Sequence, residues 1–346
     1  MNPIKTAIIG FGISGRCFQT PVIQAVSALD LTAVLSSNSE KVRAVLPQVE
    51  VYNTLGKLLA ESEVELVVIA TPNEQHYAMA AAALKAGKHV VVEKPFVINS
   101  PSGEALIRLA KDQNKLLTVY QSRRFDGDFF TVKKLIDEGK LGEVHTFISN
   151  YNRYRPHVQE RWRERNEPGS GILYDLGSHL IDQVLQLFGM PDSVDAHLRN
   201  QRSGAQAVDH FHLILSYPTR EVILHGNCLS TTPGPRFKIF GDKGSFIKHG
   251  MDPQEELLRQ GIGPKSPEWG IDKPELYGRI DFLLDDVPCY GTIPTCHGGY
   301  EQFYLQVADA IRTGSALPVC AEEALTVIRI IEAAYRSDEQ GRRIHL

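Results

Sequence analysis

Near the N-terminus, Ile4-Lys5-Thr6-Ala7-Ile8-Ile9 reads as a short apolar strand that runs straight into Gly10-Phe11-Gly12-Ile13-Ser14-Gly15. At a strand-to-helix turn, glycines at this spacing serve three purposes. The first permits the tight turn, the second lets the backbone approach a pyrophosphate, and the third lets helix and strand pack closely. Glycine turns are common, so the flanking pattern has to narrow the reading. A helical segment follows from Ser14 to Ala28, then a strand at Leu31–Leu35. Further strands at Leu66–Ala70, His89–Val92 and Leu116–Val119 alternate with helical stretches such as Glu74–Ala86 and Ser102–Asp112. This alternation predicts an α/β domain built on a doubly wound parallel sheet over residues 1–120. The loop Gly10, Phe11, Gly12, Ile13, Ser14 and Gly15 then becomes the candidate pyrophosphate cradle.

With 346 residues, a second domain over 121–346 is the natural expectation. The net charge of -4 provides no electrostatic footprint for nucleic acid or an anionic membrane. No apolar run approaches the roughly 18 residues needed to span a bilayer. Met1-Asn2-Pro3-Ile4-Lys5 lacks the basic-plus-apolar architecture of a signal sequence. Cys17, Cys228, Cys289, Cys296 and Cys320 are scattered, with no C-x-x-C pair, and read as reduced thiols of a cytoplasmic protein. Nucleic-acid, membrane and metal partners are therefore not expected.

The end of the second strand selects the nucleotide. An NAD site normally places Asp or Glu there for the ribose 2′-hydroxyl. Here Ser36-Ser37-Asn38-Ser39 is followed by Glu40, Lys41 and Arg43. Ser36 and Ser37 could receive a 2′-phosphate, with Lys41 or Arg43 as charge partners or simply as exposed helix residues. NADP(H) is the expected cofactor and NAD the alternative. Two further loops end strands where open α/β sheets bind ligands: Thr71-Pro72-Asn73-Glu74-Gln75-His76 and Glu93-Lys94-Pro95. A lysine at a buried strand end could stabilise an alkoxide forming beside it.

Later in the chain, Tyr174-Asp175-Leu176-Gly177-Ser178-His179-Leu180-Ile181-Asp182 follows a Gly169-Ser170-Gly171 run. Its apolar stripe, Leu176, Leu180, Val184, Leu187 and Phe188, has helical spacing, and Gly189 with Pro191 ends it. Asp175 and His179 then share a face, one turn apart. A carboxylate beside an imidazole is a proton-transfer pair in one reading, and an N-terminal acid plus a capped histidine in the other.

These motifs together resemble the glucose–fructose oxidoreductase and inositol dehydrogenase family (Gfo/Idh/MocA). Gly10-x-Gly12-x-x-Gly15, Thr71-Pro72-x-x-x-His76, Glu93-Lys94-Pro95 and Asp175-x-x-x-His179 occur in that order and cover essentially the whole chain. Ser122-Arg123-Arg124-Phe125-Asp126, Asn152-Arg153-Tyr154-Arg155-Pro156 and Arg161-Trp162-Arg163-Glu164 resemble its NADP-dependent inositol dehydrogenase branch. The chain departs from close relatives at Gln121-Ser122 and Phe125, where they carry His-Asn and Trp, and at Asn38, where some carry a basic residue. The resemblance implies a Rossmann domain followed by an α+β domain with a large, mixed, mainly antiparallel sheet, often used for self-association as a homodimer or homotetramer. It also implies Lys94, Asp175 and His179 as catalytic residues, acting on a secondary alcohol of a cyclic polyol or sugar. Gln121, Glu93, Trp162 and Arg163 join the cofactor contacts, beside Thr71, Pro72, Asn73 and His76. Rival readings are another sugar dehydrogenase of this fold, a nicotinamide-dependent glycosidase and a dinucleotide-sensing regulator.

In the second domain, Gly142–Tyr154 reads as a strand whose far end carries Arg153 and Arg155. With Arg123, these guanidinium forks could address polyol hydroxyls, whereas Arg161 reads as a solvated loop residue. Trp162 could cover a cofactor or sugar face. Strands are expected at Val208–Tyr217 and Glu221–Cys228, with His210, His212 and His225 as polar sheet-face residues, because no ligand set for a metal is completed. Pro264–Pro294 reads as long loops, Glu301–Arg312 as a helix, and Ala321–Tyr335 as a core helix.

Overall fold

The structure, a computed structural model, describes residues 2–346. The chain divides into two compact units. One comprises Met1–Ser122, Gln254–Trp269 and Gly299–Thr326; the other comprises Arg123–Pro253, Gly270–Gly298 and Val327–Leu346.

The first unit is built on a six-stranded sheet of β1 (Ile4–Ile9), β2 (Leu29–Leu35), β3 (Glu50–Tyr52), β4 (Leu66–Ile69), β5 (His89–Glu93) and β6 (Leu117–Tyr120). All neighbours pair in parallel, in the order β3-β2-β1-β4-β5-β6. Strands covered on both faces must be apolar throughout. Ile8, Ile9, Val67, Val68, Ile69, Val91 and Val92 are indeed fully buried. The strand order reverses between β1 and β4, so the Gly10 loop leaves the sheet at the point where open α/β sheets form a crevice. The helical segment after that loop is shorter than the expected Ser14–Ala28. It begins as a π-type turn, Ser14–Gln19, and continues as the helix Thr20–Gln24. Pro21 has no N–H to donate, so the regular ladder cannot run through it.

The second unit carries a nine-stranded sheet. Its strands are β7 (Val144–Asn152), β8 (Ser193–Arg199), β9 (His210–Ser216), β10 (Glu221–Asn227), β11 (Phe237–Gly241), β12 (Gly244–Lys248), β13 (Gly278–Leu284), β14 (Val287–Ile293) and β15 (Ile344–His345). Only β7 and β10 pair in parallel; the remaining pairs are antiparallel. Burial alternates along β7, β9 and β10, which marks a sheet with one covered face. That face carries Phe147, Phe211, Phe237 and Phe246, all fully buried. The helix Ser178–Phe188 lies on it through Leu180, Ile181 and Val184, with Phe188 edge-on to Phe147 at 5.4 Å. Each such aliphatic side chain contributes about 2 kcal/mol on burial. Gly189, at φ +71°, stops the helix.

The stretch 264–294 corrects an expectation: it holds the β13–β14 hairpin rather than loops alone. Leu284 pairs with Val287, leaving Asp285 and Asp286 as a two-residue turn with φ of +49° and +64°. Aspartate tolerates the left-handed region, so the turn forms without the glycine that usually announces it. Pro288 is accommodated because β14 is an edge strand. The last helix also runs further than expected, Ala321–Gln340.

Candidate active site

In the first unit the three motif glycines differ in what surrounds them. Gly10 sits at φ +94°, and a Cβ there would lie 2.8 Å from the Ala70 carbonyl oxygen. A Cβ on Gly15 would come within 2.1 Å of the Gly10 carbonyl oxygen. A Cβ on Gly12 would meet nothing within 4 Å. The outer glycines are thus required by the protein's own packing, whereas Gly12 faces open space. Phe11 is buried and Ile13 is exposed at 58%.

A hydrogen-bonded chain fixes this loop against the end of β5. The Tyr304 hydroxyl donates to Gln19 Oε1, and Gln19 Nε2 donates to Glu93 Oε1 at 2.6 Å. Ser14 Oγ also donates to Glu93, and the Lys94 N–H reaches Glu93 Oε2 at 3.1 Å. Glu93 therefore holds the glycine loop and leads into Lys94, a half-buried residue joined to Pro95 by a cis peptide bond. His76 is fully buried. Its Nδ1 lies 2.8 Å from the Pro95 carbonyl oxygen and its Nε2 3.1 Å from that of Thr71. Burial lowers its pKa, against the opposing effect of those carbonyls. It ties the two loops together and presents no exposed ring.

Other polar groups of this unit remain available. Thr71 Oγ1 and Gln121 Oε1 are shielded from solvent and have no protein partner. Pro72 and Asn73 open a short turn, Asn73–Gln75, with Asn73 buried. Beyond β2, Ser36 Oγ accepts the Asn38 N–H at 3.1 Å, and Asn38 Oδ1 caps the next turn by accepting the Lys41 N–H at 2.9 Å. Ser37, Lys41 and Arg43 are exposed.

In the second unit, Leu173–Gly177 forms a wide, π-type turn ahead of the helix Ser178–Phe188. Gly177 lets this turn pack closely, since a Cβ would lie 2.6 Å from the end of the Leu173 side chain and would require that side chain to shift. Asp175 and His179 follow one another by one turn across this junction. His179 is buried, and Asp175 is half-buried with Arg163 Nη1 at 3.6 Å. Trp162 stacks with Arg163, the guanidinium 5.1 Å from the ring centroid. Arg153, Arg161, Arg163 and Arg202 line a cleft with Asp175. Arg123, one of the expected substrate donors, is buried instead, ion-paired with Asp126 at 3.2 Å and 5.6 Å from the centre of the Tyr151 ring.

Sequence reasoning overlooked the groups that position this helix. Asp182 receives Arg124 in a two-pronged pair, and Gln183 Nε2 donates to the Arg123 carbonyl oxygen at 2.8 Å. Gln183 Oε1 in turn accepts from Arg236 Nη2 at 2.8 Å. A charged and an amide residue inside an otherwise buried helix face was the available signal. His210 and His212 each stand in T-shaped contact with His225, at 5.1 Å and 5.7 Å, on the less buried face of the sheet. Among the described residues no helix is long and apolar enough to cross a membrane.

Comparison with known proteins agrees with this architecture. A family model described as "Oxidoreductase family, NAD-binding Rossmann fold" matches residues 4–121, and one described as "Oxidoreductase family, C-terminal alpha/beta domain" matches residues 133–346. The chain is 44% identical to the scyllo-inositol 2-dehydrogenase (NADP(+)) IolW of Bacillus subtilis, covering 100% of this chain and 97% of that protein. It is 41% identical to the uncharacterized oxidoreductase YdgJ of Escherichia coli, over 96% of each. The solved structure of yvaA from Bacillus subtilis superposes with a TM-score of 0.97 at 44% identity, covering 100% of this chain and 99% of the other.

Proposed function

We propose that this chain, which belongs to the Gfo/Idh/MocA oxidoreductase family, is an NADP(H)-dependent dehydrogenase acting on a secondary alcohol of a cyclic polyol or sugar. Scyllo-inositol and its keto form, scyllo-inosose, are the first substrate pair to consider, in keeping with the relative of that activity.

The first unit fits a dinucleotide. Gly12 leaves room for a pyrophosphate, and Thr71 Oγ1 and Gln121 Oε1 are buried polar atoms that lack a protein partner. Ser36 and Ser37 stand at the end of β2 with no acid between them and Lys41 but Glu40, an arrangement that accepts a 2′-phosphate. When bound, the nicotinamide supplies the hydride acceptor or donor.

The protein supplies proton transfer and charge. In the oxidation direction His179 accepts the proton of the reacting hydroxyl. Lys94 donates a hydrogen bond to the same oxygen and stabilises the developing alkoxide. Asp175 orients His179 or a neighbouring hydroxyl, and reduction uses the same groups in reverse. The observation that carries this reading is His179, buried on a helix docked through Asp182 and Gln183, with Asp175 one turn ahead of it. The exposed apolar side chains of Leu284, Val287 and Tyr290 on the hairpin support self-association as a homodimer or homotetramer, and the unpaired cysteines a cytoplasmic setting.

The test is absorbance at the reduced-nicotinamide band with scyllo-inositol, myo-inositol, glucose and xylose, each with NADP and with NAD. Turnover of scyllo-inositol with NADP is the expected result. Silence with every pair, alongside clear nucleotide binding, would overturn the reading.

A further inference from the structure

The cleft beside Asp175 holds more positive charge than its own carboxylates compensate. Arg161 Nε donates to Glu164 Oε1 at 2.8 Å, and Arg202 pairs with Asp209 at 2.9 Å and with Glu164 at 3.1 Å. Arg163 faces Asp175 at 3.6 Å. Arg153 and Arg155 have no such partner. Among the described residues neither guanidinium donates to a protein group; Arg153 lines the cleft with its Nε shielded from solvent, whereas Arg155 is exposed. Desolvation first, then the neighbouring Arg153 and Arg161, lowers the pKa of Arg155, against the opposing effect of the Asp175 carboxylate. Both backbones are nevertheless pinned to the sheet: the Arg153 N–H donates to the Asn227 carbonyl at 3.0 Å and the Arg155 N–H to that of Cys228 at 2.7 Å. The half-buried Arg153 thus stands in the cleft as a guanidinium without an ion-pair partner, with the exposed Arg155 within electrostatic range of it.

Like charges kept together in excess of their counter-charges are unfavourable, and an incoming anion relieves them. A neutral hydroxyl accepts a hydrogen bond but leaves the excess charge in place. A carboxylate or phosphoryl group matches the guanidinium fork and neutralises it. We infer that this cleft is a subsite for an anionic substituent of the substrate, so that the enzyme prefers an acidic sugar or polyol to its neutral counterpart. The inference rests on the dehydrogenase reading for the reacting carbon, but not for the anion. A phosphate of the cofactor is the other source of the same chemistry, and the experiment separates the two.

Wild type and the variants Arg153→Gln and Arg155→Gln would be compared on matched pairs: glucose with glucuronate, and myo-inositol with a myo-inositol monophosphate. Calorimetry would measure binding of each compound and of NADPH, and steady-state assays with NADP would measure kcat/KM. The expected result is a wild-type preference of at least about tenfold for one acidic member, with that ratio falling roughly ten- to hundredfold in each variant. NADPH affinity should hold in both. A ratio near one in wild type, or a ratio that neither variant changes, would overturn the inference. Weakened NADPH binding with an unchanged ratio would also overturn it, by assigning the cleft to the cofactor. If no compound is turned over, the dehydrogenase reading fails, and the calorimetric ratio still decides the subsite.

Discussion

Arg124 and Asp182 lie 58 positions apart and meet as a two-pronged ion pair, Nε to Oδ2 at 2.8 Å and Nη2 to Oδ1 at 2.7 Å, with both side chains under 10% exposed. Asp182 is three residues past His179 on the same helix. The pair therefore fixes where that helix presents its histidine. Removing one member takes from the other a buried, two-pronged charge partner. Asp182→Asn should destabilise the fold by about 3 kcal/mol. Pairing it with Arg124→Met should recover much of that loss, as read by denaturant unfolding.

The glycine loop separates packing from ligand approach. Gly15→Ala places a methyl 2.1 Å from a carbonyl oxygen and should lower Tm by several degrees. Gly12→Ala meets open space, so its Tm should stay within a degree or two. Its NADPH affinity should nevertheless drop at least about tenfold, because the added methyl occupies the space through which a pyrophosphate approaches the backbone. Thermal scans and nucleotide titration check both.

Replacing His179 or Lys94 by Ala should lower kcat by about 10²–10⁴, the range for a positioned proton-transfer group. Nucleotide affinity should remain near that of wild type. Single-turnover absorbance measurements separate binding from chemistry. Unchanged turnover in both variants would remove them from the reaction.

Ser36→Asp should convert nucleotide preference. A carboxylate at the end of β2 repels a 2′-phosphate and receives a 2′-hydroxyl. The ratio of kcat/KM for NADP over NAD should fall at least about tenfold.

His225 gives the stability a pH dependence. Desolvation, then His210 and His212, push its pKa down to about 4. Its folded-state value lies below its unfolded one, near 6.5, so the folded state favours the neutral ring. That contribution is fully present above about pH 6.5 and is lost as the pH falls toward 4. Unfolding free energies measured across that window should decline, and His225→Asn should flatten the slope.

The first unit was legible because its determinants are local. Strands buried on both faces are continuous apolar runs, as in Val67-Val68-Ile69 and Val90-Val91-Val92, and each is followed within a few residues by its turn. The β13–β14 hairpin was not legible. Its turn is Asp285-Asp286 with no glycine, and its edge strand tolerates Pro288 and exposes Val287 and Tyr290. Nothing in that composition distinguishes an edge strand from a loop.

The sequence by itself determined the parallel sheet, the glycine turn, the helix that ends at Gly189 and the spacing of Asp175 and His179, because backbone sterics and hydrophobic periodicity act over a few residues. Only the tertiary structure decided which charges meet. It paired Arg124 with Asp182 and Arg236 with Gln183, buried Arg123 against Asp126, and left Arg153 without an ion-pair partner in the cleft that it shares with Asp175. A side chain's charge is written in the chain. Its partner is set by which distant segments the fold brings within about 3–4 Å, and whether that charge is matched depends on the same arrangement.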